Sequence, residues 1–190
     1  MTECLTPSQT VGPFFAYCLT PGEYPFRAVF SSDLTTPDAA GARIRIEGRI
    51  VDGDGEPVPD AMVEIWQADG EGRYPGSDPA LANAAFRGFG RAECDPQGGF
   101  AFTTVKPGRV PGPNGTAQAP HVAVGIFARG LLIRLITRIY FPDEDNAGDP
   151  VLAVVPEERR GTLVAVPAGE GAYRFDIRLQ GEGETVFFEA

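Results

Sequence analysis

The chain contains one histidine, His121, one lysine, Lys106, and one tryptophan, Trp66, and this scarcity limits its chemistry. A single histidine leaves few ways to build a Ser-His-Asp triad: His121 would have to serve, yet there is no G-x-S-x-G elbow and the residue sits inside an apolar run. Three cysteines, Cys4, Cys18 and Cys94, are an odd number without metal-type spacing, so neither a disulfide framework nor a zinc knuckle is expected. Basic charge is also short. A formal net charge of −10 and a pI near 4.6 argue against a nucleic-acid partner, because phosphate contacts need a basic face. No window approaches the roughly 18 apolar residues of a membrane span, and "MTECLTPSQT" has no basic, apolar leader. A soluble, unprocessed chain in a reducing cytoplasm is expected.

Glycine and proline, in contrast, are abundant, 24 and 18 in 190 residues, and they punctuate short apolar runs as strand-joining turns do. "ARIRIEGRIVD" alternates, with Ile44, Ile46 and Ile50 on one face and Arg43, Arg45, Glu47 and Arg49 on the other. "MVEIWQA" reads as the next strand, and "GFAFTTV" sets Phe100, Phe102 and Thr104 on one side. "HVAVGIF" is apolar on both faces, as in a strand covered by two layers. "LLIRLITRIYF" carries Arg134 and Arg138 as outward strand charges or interface pairs, and "AYRFDIRLQ" turns Tyr173, Phe175, Ile177 and Leu179 inward. Trp66 and Phe100 read as core or interface filling. So many one-sided strands predict an all-β, two-sheet β-sandwich, with a closed barrel as the rival.

A single domain over residues 1–190 is expected, with 41–190 as the sandwich. Only "VPEERRGTL" looks helical, with Pro156 in a first turn and Glu157 and Glu158 at the dipole's positive end. Residues 1–40 are rich in aromatics without a period, which predicts an extended arm lying on another surface, a partner chain. "VKPGRVPGPNGTAQAP" is a long loop of the kind that is usually functional or in contact with a partner. "GDGEP" and "DGEGRYPG" lack the helix a phosphate loop needs, and the acids Asp143, Glu144 and Asp145 lack EF-hand spacing.

Several segments together carry a resemblance. "TPSQTVGPFF", "GRIVDGDGEPVPDAMVEIWQADGEGRYPG", "GFGRAECDPQGGFAFTTVKPG", "APHVAVGIFARG", "TRIYFPDE" and "AYRFDIRLQGEGETVFFEA" resemble, in order and nearly end to end, the intradiol ring-cleaving dioxygenases. "SQTVGPFF", "FARG" and "GEGETVFFEA" are most similar to the alpha chains of the two-chain members. In these the active site lies between an alpha chain and an iron-bearing beta chain.

The resemblance implies a β-sandwich and a non-haem Fe(III) held by two tyrosinates and a His-x-His pair. Side chains two apart on a strand face the same way, so such a pair can reach one metal. Laid on this sequence, the ligand positions fall on Tyr74, Val110, His121 and Ala123. Two lack a donor atom, so no metal is expected here, Tyr74 is read as a packed aromatic and His121 as a buried neutral imidazole. The Fe(III) is expected in a homologous beta chain. To that chain's pocket the resemblance assigns Thr10, Gly12, Pro13, Phe14 and Arg129, the arginine as a fork for a substrate carboxylate. The implied reaction opens 3,4-dihydroxybenzoate between its hydroxyl-bearing carbons with O2, in aromatic catabolism.

Other readings stay open from the residues alone. "GRIVDGDGEPVPDAMVEIW" is similar to small β-sandwich modules appended to carboxypeptidases and surface adhesins, which implies a non-catalytic binding module. A diverged intradiol enzyme acting on another catechol, or an iron enzyme acting alone, also fits parts of the pattern.

Overall fold

The computed structural model describes residues 10–12, 15–76 and 86–189. Among them the strands run, in chain order, β1 (Arg43–Val51), β2 (Met62–Trp66), β3 (Phe89–Glu93), β4 (Gly99–Val105), β5 (Val110–Pro111), β6 (Ala117–Gln118), β7 (His121–Phe127), β8 (Leu135–Tyr140), β9 (Val166–Gly169), β10 (Ala172–Arg174) and β11 (Ile177–Arg178). One sheet is built on β1. It pairs antiparallel with β4 and parallel with β10 and then β11, while β9 flanks β10. The other is an antiparallel sheet in the order β3-β2-β7-β8.

The two sheets face one another across the core that the alternation predicts. Ile44, Ile46, Ile50, Phe100, Phe102, Phe175 and Ile177 from the first meet Val63, Ile65, Val122, Val124, Ile126 and Ile139 from the second. One polar link crosses this core. The buried Gln67 amide donates to the carbonyls of Ala68 (3.0 Å) and Val105 (2.8 Å), and Thr104 Oγ1 donates back to Gln67 Oε1 at 2.9 Å, so each buried polar group has a partner.

Outside the core, on the far face of β8, lies a smaller cluster of Ala119, Tyr140, Leu152, Val155 and Leu163. The segment after β8 folds back to cover it. The one lysine secures that segment. Lys106 Nζ reaches Asp143 Oδ2 (2.6 Å) and Glu144 Oε1 (2.7 Å), and Tyr173 donates its hydroxyl to Asp143, so the acidic turn is neutralised from within.

Local differences from the alternation have physical reasons. The "AYRFDIRLQ" run is split into β10 and β11 because the Phe175 carbonyl presses on β1 at Gly48, where an added Cβ would lie 1.8 Å from that oxygen. Phe175 N donates to Glu47 O instead, and Asp176 Oδ1 takes the N–H of Arg49. "LLIRLITRIYF" is strand only from Leu135 on. The long loop contains the short β5–β6 ladder. Glu157–Leu163 is a 3-10 helix, not an α-helix; it spans seven residues, too few to sustain α-helical nucleation, and Thr162 Oγ1 bonds back to Arg159 O. The expected arm is not uniformly extended. Residues Phe15–Leu19 form a short α-helix, α1, and residues 31–34 lie on this chain's own sheets, with Arg91 N donating to Ser31 O and Leu34 N to Thr103 O.

Candidate functional site

Two groups of predicted residues assemble, at opposite ends of β7. At the far end, past Phe127, the chain turns at Arg129, and the arm comes back to meet it. Gly130 N donates to Thr10 Oγ1 at 3.0 Å, Phe15 N closes a turn onto Gly12 O, and the Phe15 and Phe127 rings lie 6.2 Å apart. Val11, Gly12, Phe15, Asp60, Met62 and Arg129 line a cavity of about 420 Å³ here. Thr10, Gly12 and Arg129 are thus brought together although far apart in the sequence. Pro13 and Phe14 lie outside the described residues.

Arg129 is held by a residue that sequence reasoning missed. Asp60, from the turn before β2, accepts the backbone N–H of Arg129 at 3.3 Å and forms an ion pair with its guanidinium, Nε lying 2.6 Å from Oδ2. The side chain remains 77% exposed. An ion pair this open adds little stability, and it engages the guanidinium at Nε. Behind this wall Arg91 secures α1. Its Nη1 donates to Leu19 O at 3.2 Å, its Nη2 meets Glu64 at 2.5 Å, and it lies against the Phe30 and Phe89 rings.

At the near end, on the outer face of the second sheet, the four ligand-position residues also converge. His121 and Ala123 share a face of β7, Val110 is buried on β5, and Tyr74 stacks on Trp66 with ring centroids 5.7 Å apart. Trp66 is 40% exposed, packing on this outer face and not in the core. His121 Nδ1 contacts Ala119 O at 2.8 Å; a carbonyl only accepts, so Nδ1 carries the proton and Nε2 the lone pair. Burial, and then the nearby Arg138, hold the imidazole below its ordinary pKa, so it is neutral. Burial likewise raises Tyr74 and pushes Tyr140 up to about 12, with Arg138 working against both.

Arg138, read from the sequence as an outward strand charge or interface pair, makes bonds here that the sequence did not reveal. It sits directly across from Ala123 in the β7–β8 register and is half-buried. Its Nη1 donates to Gln118 Oε1 at 2.8 Å and to the Tyr140 hydroxyl at 3.4 Å. Tyr140 in turn donates to Asp149 Oδ1, and that buried carboxylate also takes the N–H groups of Ala119, Val151 and Leu152. Asp149 thus accepts four hydrogen bonds, three at Oδ1 and one at Oδ2.

This donor set does not fit a ferric ion. Val110 and Ala123 offer no donor atom, the Tyr74 phenol is held protonated, Asp149 is committed to four hydrogen bonds, and a guanidinium occupies the neighbourhood. Among the described residues no group of three or more His, Cys, Asp or Glu side chains is placed to hold a metal, and no helix is long and apolar enough to cross a membrane. Cys18 and Cys94 are free thiols, and burial pushes Cys94 up to about 12, which makes it a poor nucleophile.

Residues 22–181 match a family model described as a dioxygenase. Protocatechuate 3,4-dioxygenase alpha chains of Burkholderia cepacia and Pseudomonas putida are 46% and 44% identical, each alignment covering 97% of this chain and 96% of the relative. The beta chain of the Burkholderia cepacia enzyme is 37% identical over 76% of this chain and 67% of its own length. Among solved structures, the dioxygenase domain of a carbohydrate-binding fusion protein from Streptomyces sp. SirexAA-E superposes with a TM-score of 0.58 at 24% identity, covering 93% of this chain and 99% of that one. Catechol 1,2-dioxygenase from Acinetobacter sp. ADP1 gives 0.60 at 23% identity, covering 83% and 60%. These likenesses place the sandwich among intradiol folds, and with the family match and the full-length relatives they establish that the chain belongs to the intradiol ring-cleaving dioxygenases.

Proposed function

We propose that this chain is the iron-free alpha subunit of a protocatechuate 3,4-dioxygenase, and that it completes the active site of a homologous, iron-bearing beta subunit. The observation that carries this reading is that Gly12 and Arg129 line one cavity, with Thr10 bonded to Gly130 beside it, at the end of β7 away from the ligand positions. At about 3.3 Å per strand residue, β7 separates His121 from Phe127 by roughly 20 Å. Arg129 therefore cannot serve a centre at His121 of the same chain. An exposed guanidinium paired with Asp60 at Nε suits a substrate bound against another protein.

In the assembled enzyme the Fe(III) belongs to the beta chain and supplies the oxidative chemistry. The reaction joins one O2 to 3,4-dihydroxybenzoate, breaks the bond between its two hydroxyl-bearing carbons and gives 3-carboxy-cis,cis-muconate. What this chain contributes is position. Arg129 binds the ring carboxylate through its terminal nitrogens, Thr10 ties the arm to the Arg129 turn, and Gly12 lets backbone approach the flat ring. Fixing a reactant this way can contribute a large share of a barrier reduction. Exposed arm residues support a partner: Phe26, Val29 and Phe30 are 61%, 81% and 43% exposed. The work is cytoplasmic aromatic catabolism.

Replacing Arg129 tests the reading in the complex co-purified with the beta subunit. A charge-assisted bond of about 1.5–3 kcal/mol corresponds to an increase of about tenfold to a hundredfold in KM. Arg129→Ala should show that increase for protocatechuate and less than about threefold for catechol, which has no carboxylate. Equal effects on the two substrates would remove the role.

A further inference from the structure

We propose that the guanidinium of Arg138 is the resident cation of the centre around Tyr74, His121 and Tyr140, standing in for the family's ferric ion and keeping iron out even when the missing donors are restored. The inference rests on the reading that this chain is the iron-free subunit.

The geometry leading to it is independent of the two lost ligands. His121 keeps the tautomer of a metal ligand, with Nδ1–H fixed on Ala119 O and the lone pair on Nε2. Around it stand oxygen acceptors: the Tyr140 hydroxyl, the Gln118 amide and, behind them, the Asp149 carboxylate at 1% exposure. The Gln118 and Tyr140 oxygens are open to a cationic donor. Arg138 supplies one from the register position facing Ala123, the lost histidine's place, and donates to Gln118 and Tyr140. The His121 ring lies 5.8 Å from the ring of Tyr140, whose hydroxyl Arg138 reaches. A fixed positive charge this close opposes a trivalent ion. Restoring Tyr and His at 110 and 123 therefore leaves the site occupied.

Full-length chains purified alone and loaded with ferric citrate decide the matter. Val110→Tyr with Ala123→His should bind less than a tenth of the iron bound by the same pair combined with Arg138→Gln, and only the triple variant should show visible tyrosinate-to-iron absorbance. Equal iron in the two, whether both bind or neither does, would overturn the proposal. Iron uptake and colour in the unsubstituted chain would instead overturn the iron-free reading on which it rests. Single variants keep the test alive if the redesigned chains fail to fold. Arg138→Gln should lower Tm by several degrees and Arg138→Lys, which keeps a cation, by less than half as much. No difference between these two would likewise sink it.

Discussion

His121 must be neutral for the native chain to form, because burial and the Arg138 charge both act against its protonated form. The unfolded imidazole has the ordinary value of 6.5, so below that pH the unfolded state binds more protons than the folded one. The stability His121 contributes is complete above about pH 6.5 and declines as pH falls through the lower, native pKa. Urea midpoints between pH 7.5 and 5.5 should fall more steeply for the natural chain than for His121→Gln; parallel slopes would mean the imidazole titrates normally. Asp149 is the stronger dependence. Asp149→Ala strands four buried donors and should cost about 3 kcal/mol in urea unfolding. Legibility at this scale followed motif spacing. Arg129 and the degenerate positions were marked by "FARG" and His-x-Ala. Asp60, Arg138 and Asp149 were not, because their partners are set by strand register and by a loop folding back, which no local pattern carries.

Among the elements, the period of two gave the inward faces of β1, β4 and the β10–β11 run directly, since alternate residues must point oppositely. It could not give the break at Phe175 and Asp176. That break comes from a contact with Gly48, a residue that pattern reading passes over as a gap in the alternation. Gly48→Ala should force the Phe175 carbonyl away, loosen β10 and β11 from β1 and destabilise the chain by about 3 kcal/mol, read as a lower urea midpoint. A change below about 0.5 kcal/mol would show that β1 and Phe175 can separate freely. Glu157–Leu163 teaches the converse lesson. Acids at its start and arginines after it are helix signals, but they do not distinguish i+3 from i+4 bonding in so short a piece.

For the whole molecule, the sandwich carries two unlike ends on one strand. At the His121 end a guanidinium bonds Gln118 and Tyr140, and at the other end Gly12 and Arg129 line a cavity. Each makes sense beside a homologous chain, and that division of labour is the central claim. The most direct test is protocatechuate cleavage by separately purified chains before and after mixing, read as O2 consumption with iron and visible absorbance measured on each. The account predicts a colourless, inactive alpha chain, a coloured beta chain of low activity alone, and a large gain on mixing. An iron-bearing alpha chain, or a beta chain fully active without it, would contradict the account.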